Sequence, residues 1–154
     1  MRSEPHRSTM THPEFQITGR CYCGAVSLRS EHPPRTVAYC HCSDCKRWTG
    51  APVAAFAAFL ADDLHFCPDQ GAGRSHAAGV TRWNCKSCGS PLQAAFDYLP
   101  DQVYVPLGLI DQADDLPPQL HCHSNSCYSW LSISDEADRA AKSGRSQLNE
   151  ATGS

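Results

Sequence analysis

Seven of the ten cysteines in this 154-residue chain fall into three tight clusters, and this crowding constrains its fold more than any other feature. The clusters are Cys21-Tyr-Cys23, Cys40-His-Cys42-Ser-Asp-Cys45 and Cys85-Lys-Ser-Cys88, while Cys67, Cys122 and Cys127 stand apart. Disulfide partners are usually distant in sequence and need no crowding. Metal ligands do need it, because one tight turn can aim two thiolates at an ion about 2.3 Å away. The cysteine content is also below the roughly 8–10% that marks a disulfide scaffold. Metal therefore ranks ahead of disulfides, which remain the alternative.

The clusters divide into two kinds. Cys21/Cys23 and Cys85/Cys88 are each followed at once by a glycine, Gly24 and Gly89, which suits a reversed backbone with positive φ beside a metal. Joined, the two knuckles make a closed four-cysteine zinc site of the structural kind, with an iron–sulfur cluster as the alternative. Cys40, Cys42 and Cys45 then form a trio with no fourth cysteine nearby. Three protein ligands and an open position is the arrangement of a catalytic zinc. Two other readings stay open: a fourth ligand from afar (His121, Cys122, His123 or Cys127), or no metal at the trio.

Composition bounds the rest. Hydrophobic residues are 41% and charged residues 19% of the chain, a globular balance. Lys plus Arg is 13 against 16 Asp plus Glu, a net charge of −3. That gives no long-range pull toward nucleic acid or an anionic membrane, and neither is expected as a partner. The longest apolar run, 51–61, contains Pro52 and falls short of the about 20 residues of a membrane span. The first 16 residues lack the apolar core of a secretory signal, so the expected location is cytoplasmic.

Short alternating runs at 25–28, 35–39, 80–83, 91–96 and 102–107 predict an all-β fold of small sheets punctuated by the 11 Pro and 10 Gly. Val53, Phe56 and Leu60 sit at helical spacing, so periodicity alone leaves 52–60 ambiguous. Residues 1–14 read as a flexible tail, 15–134 as the zinc domain, and 135–154 as a polar tail that is part helical. The helix is expected at 134–142, with Ser134 or Asp135 as cap, acids early, and Arg139 and Lys142 late.

Three segments together resemble the glutathione-dependent formaldehyde-activating enzyme family, whose relatives include the centromere-protein-V branch. They are Gly19-Arg-Cys21-Tyr-Cys23-Gly24, Tyr39-Cys40-His-Cys42-Ser-Asp-Cys45-Lys-Arg-Trp-Thr-Gly50, and Arg82-Trp-Asn-Cys85-Lys-Ser-Cys88-Gly89. Val103-Tyr-Val105, Gly108-Leu-Ile-Asp111, Pro117-Pro118, His121 and Trp130 follow in the family's order. The resemblance covers roughly residues 17–133 and implies a β-tent of several small coiled sheets, with 52–60 a strand. It implies a structural zinc on Cys21, Cys23, Cys85 and Cys88 and a catalytic zinc on Cys40, Cys42 and Cys45. The implied activity is formation of S-hydroxymethylglutathione from glutathione and formaldehyde, a carbon–sulfur lyase reaction. Cys122 stands where the family usually has an aliphatic residue, and the alanine-rich tail beyond Asp135 departs from the family's ending.

An open zinc fits that chemistry, because a metal-bound thiol is deprotonated whereas a free one, with a pKa of about 8.5, mostly is not. Glutathione is anionic, and Arg20, Arg35, Lys46, Arg47 and Arg82 are candidates to meet its carboxylates; Arg82 reads equally as a structural donor. His121 is read as a satisfied structural histidine or a substrate contact, and Trp130 as core or pocket wall. His41 and Asp44 lie within the trio and are placed to orient its ligands. Cys67 is read as inert and Gly50 as a turn near the metal. The competing class is a non-catalytic zinc-stabilised protein-binding module.

Overall fold

The apolar run at 51–61 becomes a central strand rather than a helix because both of its faces are buried. Phe56 and Ala58 face one core with Tyr104 and Leu120, while Ala57 and Phe59 face another with Ile17, Val37 and Val105. A strand buried on both sides reads as continuous apolar sequence and loses the alternation that would identify it. The computed structural model describes residues 16–143. The tail expected at 1–14 and the part of the C-terminal tail beyond 143 lie outside the described residues.

In chain order the elements are β1 (Ile17–Arg20), β2 (Ser27–Ser30), β3 (Thr36–Cys40), α1 (Ser43–Thr49), β4 (Ala54–Leu60) and β5 (Leu64–Cys67). Then follow β6 (Arg74–Ala77), β7 (Val80–Asn84), β8 (Pro91–Phe96), β9 (Gln102–Pro106), β10 (Leu120–Cys122) and β11 (Asp138–Arg139), with single 3-10 turns between some of them. The all-β expectation holds. Strands β1-β2-β5 make a three-stranded sheet, and β11-β10-β3-β4-β9-β8-β7-β6 make an eight-stranded one. The larger sheet is nearly two: β8 and β9 share only the pairs Ala94↔Tyr104 and Ala95↔Val103. Irregular register within β6–β7 and β7–β8 bends the β6-β7-β8 arm further. A third small core of Cys21, Val26, Cys85 and Leu92 joins the two knuckles.

Two local features depart from the sequence reading. The trio is built around a one-helix insert: Cys42 caps α1, its sulfur accepting the Cys45 N–H at 3.3 Å, and Gly50 ends it at φ 74. The segment at 134–142, expected to hold a short helix, is instead extended. Asp138 and Arg139 pair in parallel with Leu120 and His121. Their flanks close the edge, with the Asp138 N–H donating to the Gln119 carbonyl at 3.1 Å and the Ala140 N–H to the His121 carbonyl at 2.8 Å. About nine residues with only alanines to bury cannot sustain a helix alone, whereas the open edge of β10 offers unpaired backbone groups.

Candidate metal centres and the surrounding site

The two knuckles meet as their spacing predicts. The sulfurs of Cys21, Cys23, Cys85 and Cys88 all lie within 4.8 Å of one another, with Cys21–Cys23 at 3.6 Å and Cys23–Cys85 at 3.9 Å. Four sulfurs tetrahedral about one zinc would be about 3.8 Å apart. Each knuckle turns its own amides onto its thiols: the Val26 and Ala25 N–H groups onto Cys21 and Cys23, and the Cys88 N–H onto Cys85. Gly24 at φ 81 and Gly89 at φ 79 close the turns. Ser90, which the sequence did not single out, ties the knuckles together. Its hydroxyl accepts from the Tyr22 N–H at 3.0 Å and lies 3.2 Å from the Cys88 sulfur. Arg20 donates to the carbonyls of Cys21 and Tyr22 and so braces the first knuckle.

The second cluster of ligand atoms within 4.8 Å of one another takes in Cys40, Cys42 and His123, but not Cys45, the third cysteine of the trio. Cys40 and Cys42 sit 3.3 Å apart, sulfur to sulfur. Hydrogen bonding with Cys40 and then Cys45 draws the Cys42 thiol far below the usual range, while the same bond with Cys42 pushes Cys40 far above it. Sulfurs this close cannot all ionise without a cation between them, and a set of thiolates suits zinc. The donors therefore fit the metal that the spacing predicts. Of the candidate distant ligands, the structure brings up His123, whose ring nitrogen shares a 4.8 Å cluster with Cys40 and Cys42. Cys122 stays protonated in its surroundings, since burial and then the charge of Cys42 push it up to about 11. Cys127 points instead at the carbonyls of Tyr128 and Leu131.

His121 is not drawn to the trio; it lies in a buried chain behind it. Its Nε2 is 2.9 Å from Asp135 Oδ2, its Nδ1 is 2.9 Å from His41 Nε2, and Tyr39 stacks on its ring at 4.7 Å. Asp135, read from sequence as a helix cap, is thus a histidine partner. Parallel pairing of β3 with β10 aligns Tyr39 with His121 and Cys40 with Cys122, which stacks the rings on one face of the sheet.

Of two cavities near the metal centres, one abuts the trio and the other lies beside Cys85 of the four-cysteine centre. One, of about 40 Å³, is apolar and is walled by Cys40, Cys45, Phe56, Phe96, Tyr98 and Tyr104, with Cys122 and His123 at its side. The other, of about 290 Å³, is basic and is lined by Arg74, Arg82 and Lys86 without an acidic residue. Arg74 and Arg82 are direct cross-strand partners, an arrangement that like charges disfavour unless something negative lies between them. The Arg82 guanidinium packs over Trp48 at 4.5 Å, and its Nη1 is buried without a partner among the described residues. The charge of Arg82 is felt at the trio. Hydrogen bonding with Cys40 and the charge of Arg82 favour the Cys45 thiolate, against Cys42 and burial, which bring the group to about 12.

Other candidates are placed elsewhere. Lys46 donates to the Ser126 carbonyl and lies over the Tyr128 ring. Trp130, expected in the core or a pocket wall, is 68% exposed and stacks on Tyr128. Its neighbours in 131–137 adopt no regular structure that could fold back over it.

The family model for the glutathione-dependent formaldehyde-activating enzyme matches residues 16–126. Among solved structures, the crystal structure of a Rhodobacter sphaeroides protein is similar, with a TM-score of 0.48 and 21% identity, covering 61% of this chain and 87% of that one. No curated protein matches the chain.

Proposed function

The chain belongs to the glutathione-dependent formaldehyde-activating enzyme family, and from that premise we propose that it adds a small thiol, glutathione foremost, to formaldehyde. In this reaction the thiol loses its S–H proton, a carbon–sulfur bond forms, and the carbonyl oxygen takes up a proton. Nothing is oxidised or reduced, and the reverse direction is a carbon–sulfur lyase reaction. The proposal includes two zinc ions per chain, one structural on Cys21, Cys23, Cys85 and Cys88 and one catalytic on Cys40, Cys42 and Cys45. Ten free thiols fit a reducing compartment, and we assign the protein to the cytoplasm.

The observation that carries this reading is the place of Cys40 and Cys45 on a small apolar cavity, with Arg82 of the basic cavity packed over Trp48 of the helix that carries Cys45. A zinc ion held there would supply the positive charge that keeps an incoming thiol as thiolate. The chain's own residues do the rest. Arg82, with Arg74 and Lys86, offers cations for the carboxylates of glutathione, and the unpartnered Nη1 of Arg82 gains an acceptor when one arrives. The apolar cavity has space for about three waters by volume, which admits a one-carbon aldehyde and turns away a bulky one. Phe56, Phe96 and Tyr104 keep bulk water off the reacting carbon.

Carbon NMR exchange spectroscopy of glutathione with labelled formaldehyde tests this. The protein is expected to speed exchange between free formaldehyde and the hemithioacetal, and Cys42→Ala to abolish the acceleration. If the wild-type protein with both metals bound leaves the exchange at its uncatalysed rate, the chain is a zinc-stabilised module and not this enzyme.

A further inference from the structure

We propose that His123 is the fourth ligand of the three-cysteine centre, so that the site is closed at rest and opens when an incoming thiolate displaces the imidazole. This rests on the reading of Cys40, Cys42 and Cys45 as metal ligands.

The argument starts from strand alternation. In β3 and β10, Tyr39 and His121 are register partners, and their rings stack with that of His41 on one face. Period-two alternation would carry His123 to that same face, away from the cysteines. It does not go there. His123 adopts φ 53 and ψ 43, the one positive φ at a non-glycine residue among the described residues. Its ring nitrogen joins the sulfurs of Cys40 and Cys42 within 4.8 Å. A histidine held in the left-handed region is strained, and such strain persists only where the surroundings impose it.

Those surroundings are specific. The His123 N–H donates to the Lys142 carbonyl at 2.7 Å and the Ser124 N–H to the Ala140 carbonyl at 3.0 Å. The segment that follows β11 therefore clamps the turn on both sides of the ring. On the other side the His41 N–H donates to the Cys122 carbonyl at 3.0 Å, fixing the cysteine loop to the same strand end. The clamp has a function only if the ring is needed where it lies.

The ligand chemistry explains why. A neutral imidazole completes a Cys3His set without adding to the negative charge of three thiolates. An imidazole held there would leave no coordination position for water. A thiolate, softer and charged, would compete for that position better than water would. His123 thus selects for thiols.

Cadmium NMR of the full chain reconstituted with cadmium and carrying nitrogen-labelled histidine tests this. The wild-type protein is expected to show two resonances, one from the four-cysteine centre and one split by coupling to a histidine nitrogen. His123→Gly suits the left-handed backbone, so the fold and the first resonance should persist. The second should move and lose its splitting, and added imidazole should return it toward its original position. Two resonances in the wild type without nitrogen coupling, or a second resonance indifferent to His123→Gly, would overturn the proposal and leave the three-cysteine centre standing. A single resonance in the wild type would overturn both.

Discussion

His41 Nε2 lies 2.9 Å from His121 Nδ1, and this contact joins the cysteine loop to β10 and, through Asp135, to the C-terminal segment. With both rings neutral, these contacts are consistent with one pair of tautomers. An ionised carboxylate only accepts, so His121 carries its proton on Nε2 and presents a bare Nδ1. His41 must then donate from Nε2, which leaves its Nδ1 as a lone pair that is buried without a partner. Burial first, and then the neighbouring His121, hold His41 below its ordinary value, in keeping with a neutral ring.

Substituting His121 by Ala removes the centre of this chain and strands the buried Nε2–H of His41. Leaving such a donor unsatisfied costs about 1–3 kcal/mol. Urea denaturation of the metal-loaded protein should show a loss of at least that size, larger than for His32→Ala at an exposed pair.

Asp135 adds a pH dependence. Its hydrogen bond from His121 first, and that from Arg139, hold its carboxyl below the ordinary 3.8. The native state then binds fewer protons at this site than the unfolded chain does, so the contribution is complete above that value and fades as pH falls through the lower native one. The stability difference between the wild type and Asp135→Asn should be constant from neutral pH to about pH 5 and shrink below pH 4.

The four-cysteine centre should decide whether the domain folds. It joins knuckles 62 positions apart at Cys23 and Cys85, and structural zinc contributes about 10–16 kcal/mol in peptide models. Cys85→Ala, or a strong chelator, should abolish the cooperative thermal transition followed by circular dichroism. Cys42→Ala should keep that transition and lose one metal.

Arg82→Ala should raise KM for glutathione about tenfold or more with a smaller change in kcat, since it removes a binding charge rather than a reacting group. Arg74→Ala, across the strand pair, should do the same more weakly. Steady-state kinetics with cysteamine, which lacks carboxylates, should show neither effect.

Much of this was legible in the sequence, for identifiable reasons. The meeting of Cys21 and Cys23 with Cys85 and Cys88 follows from local spacing, and spacing survives folding unchanged. The strands Thr36–Cys40, Pro91–Phe96 and Gln102–Pro106 announce themselves by alternation. What stayed hidden depends on distant pairing. Strands β10 and β11 are three and two residues long, too short for any period, and exist because each finds an edge. Asp135 looked like a cap because its partner His121 lies across a loop. His123 sat among several candidate ligands until a left-handed backbone, which residue type alone does not announce, singled it out.

Native mass spectrometry of the full chain, with and without excess glutathione, tests the central claim most directly. Two zinc ions per chain and a retained glutathione mass are the result expected of a structural and a thiol-accepting centre. One zinc and no glutathione adduct would contradict it.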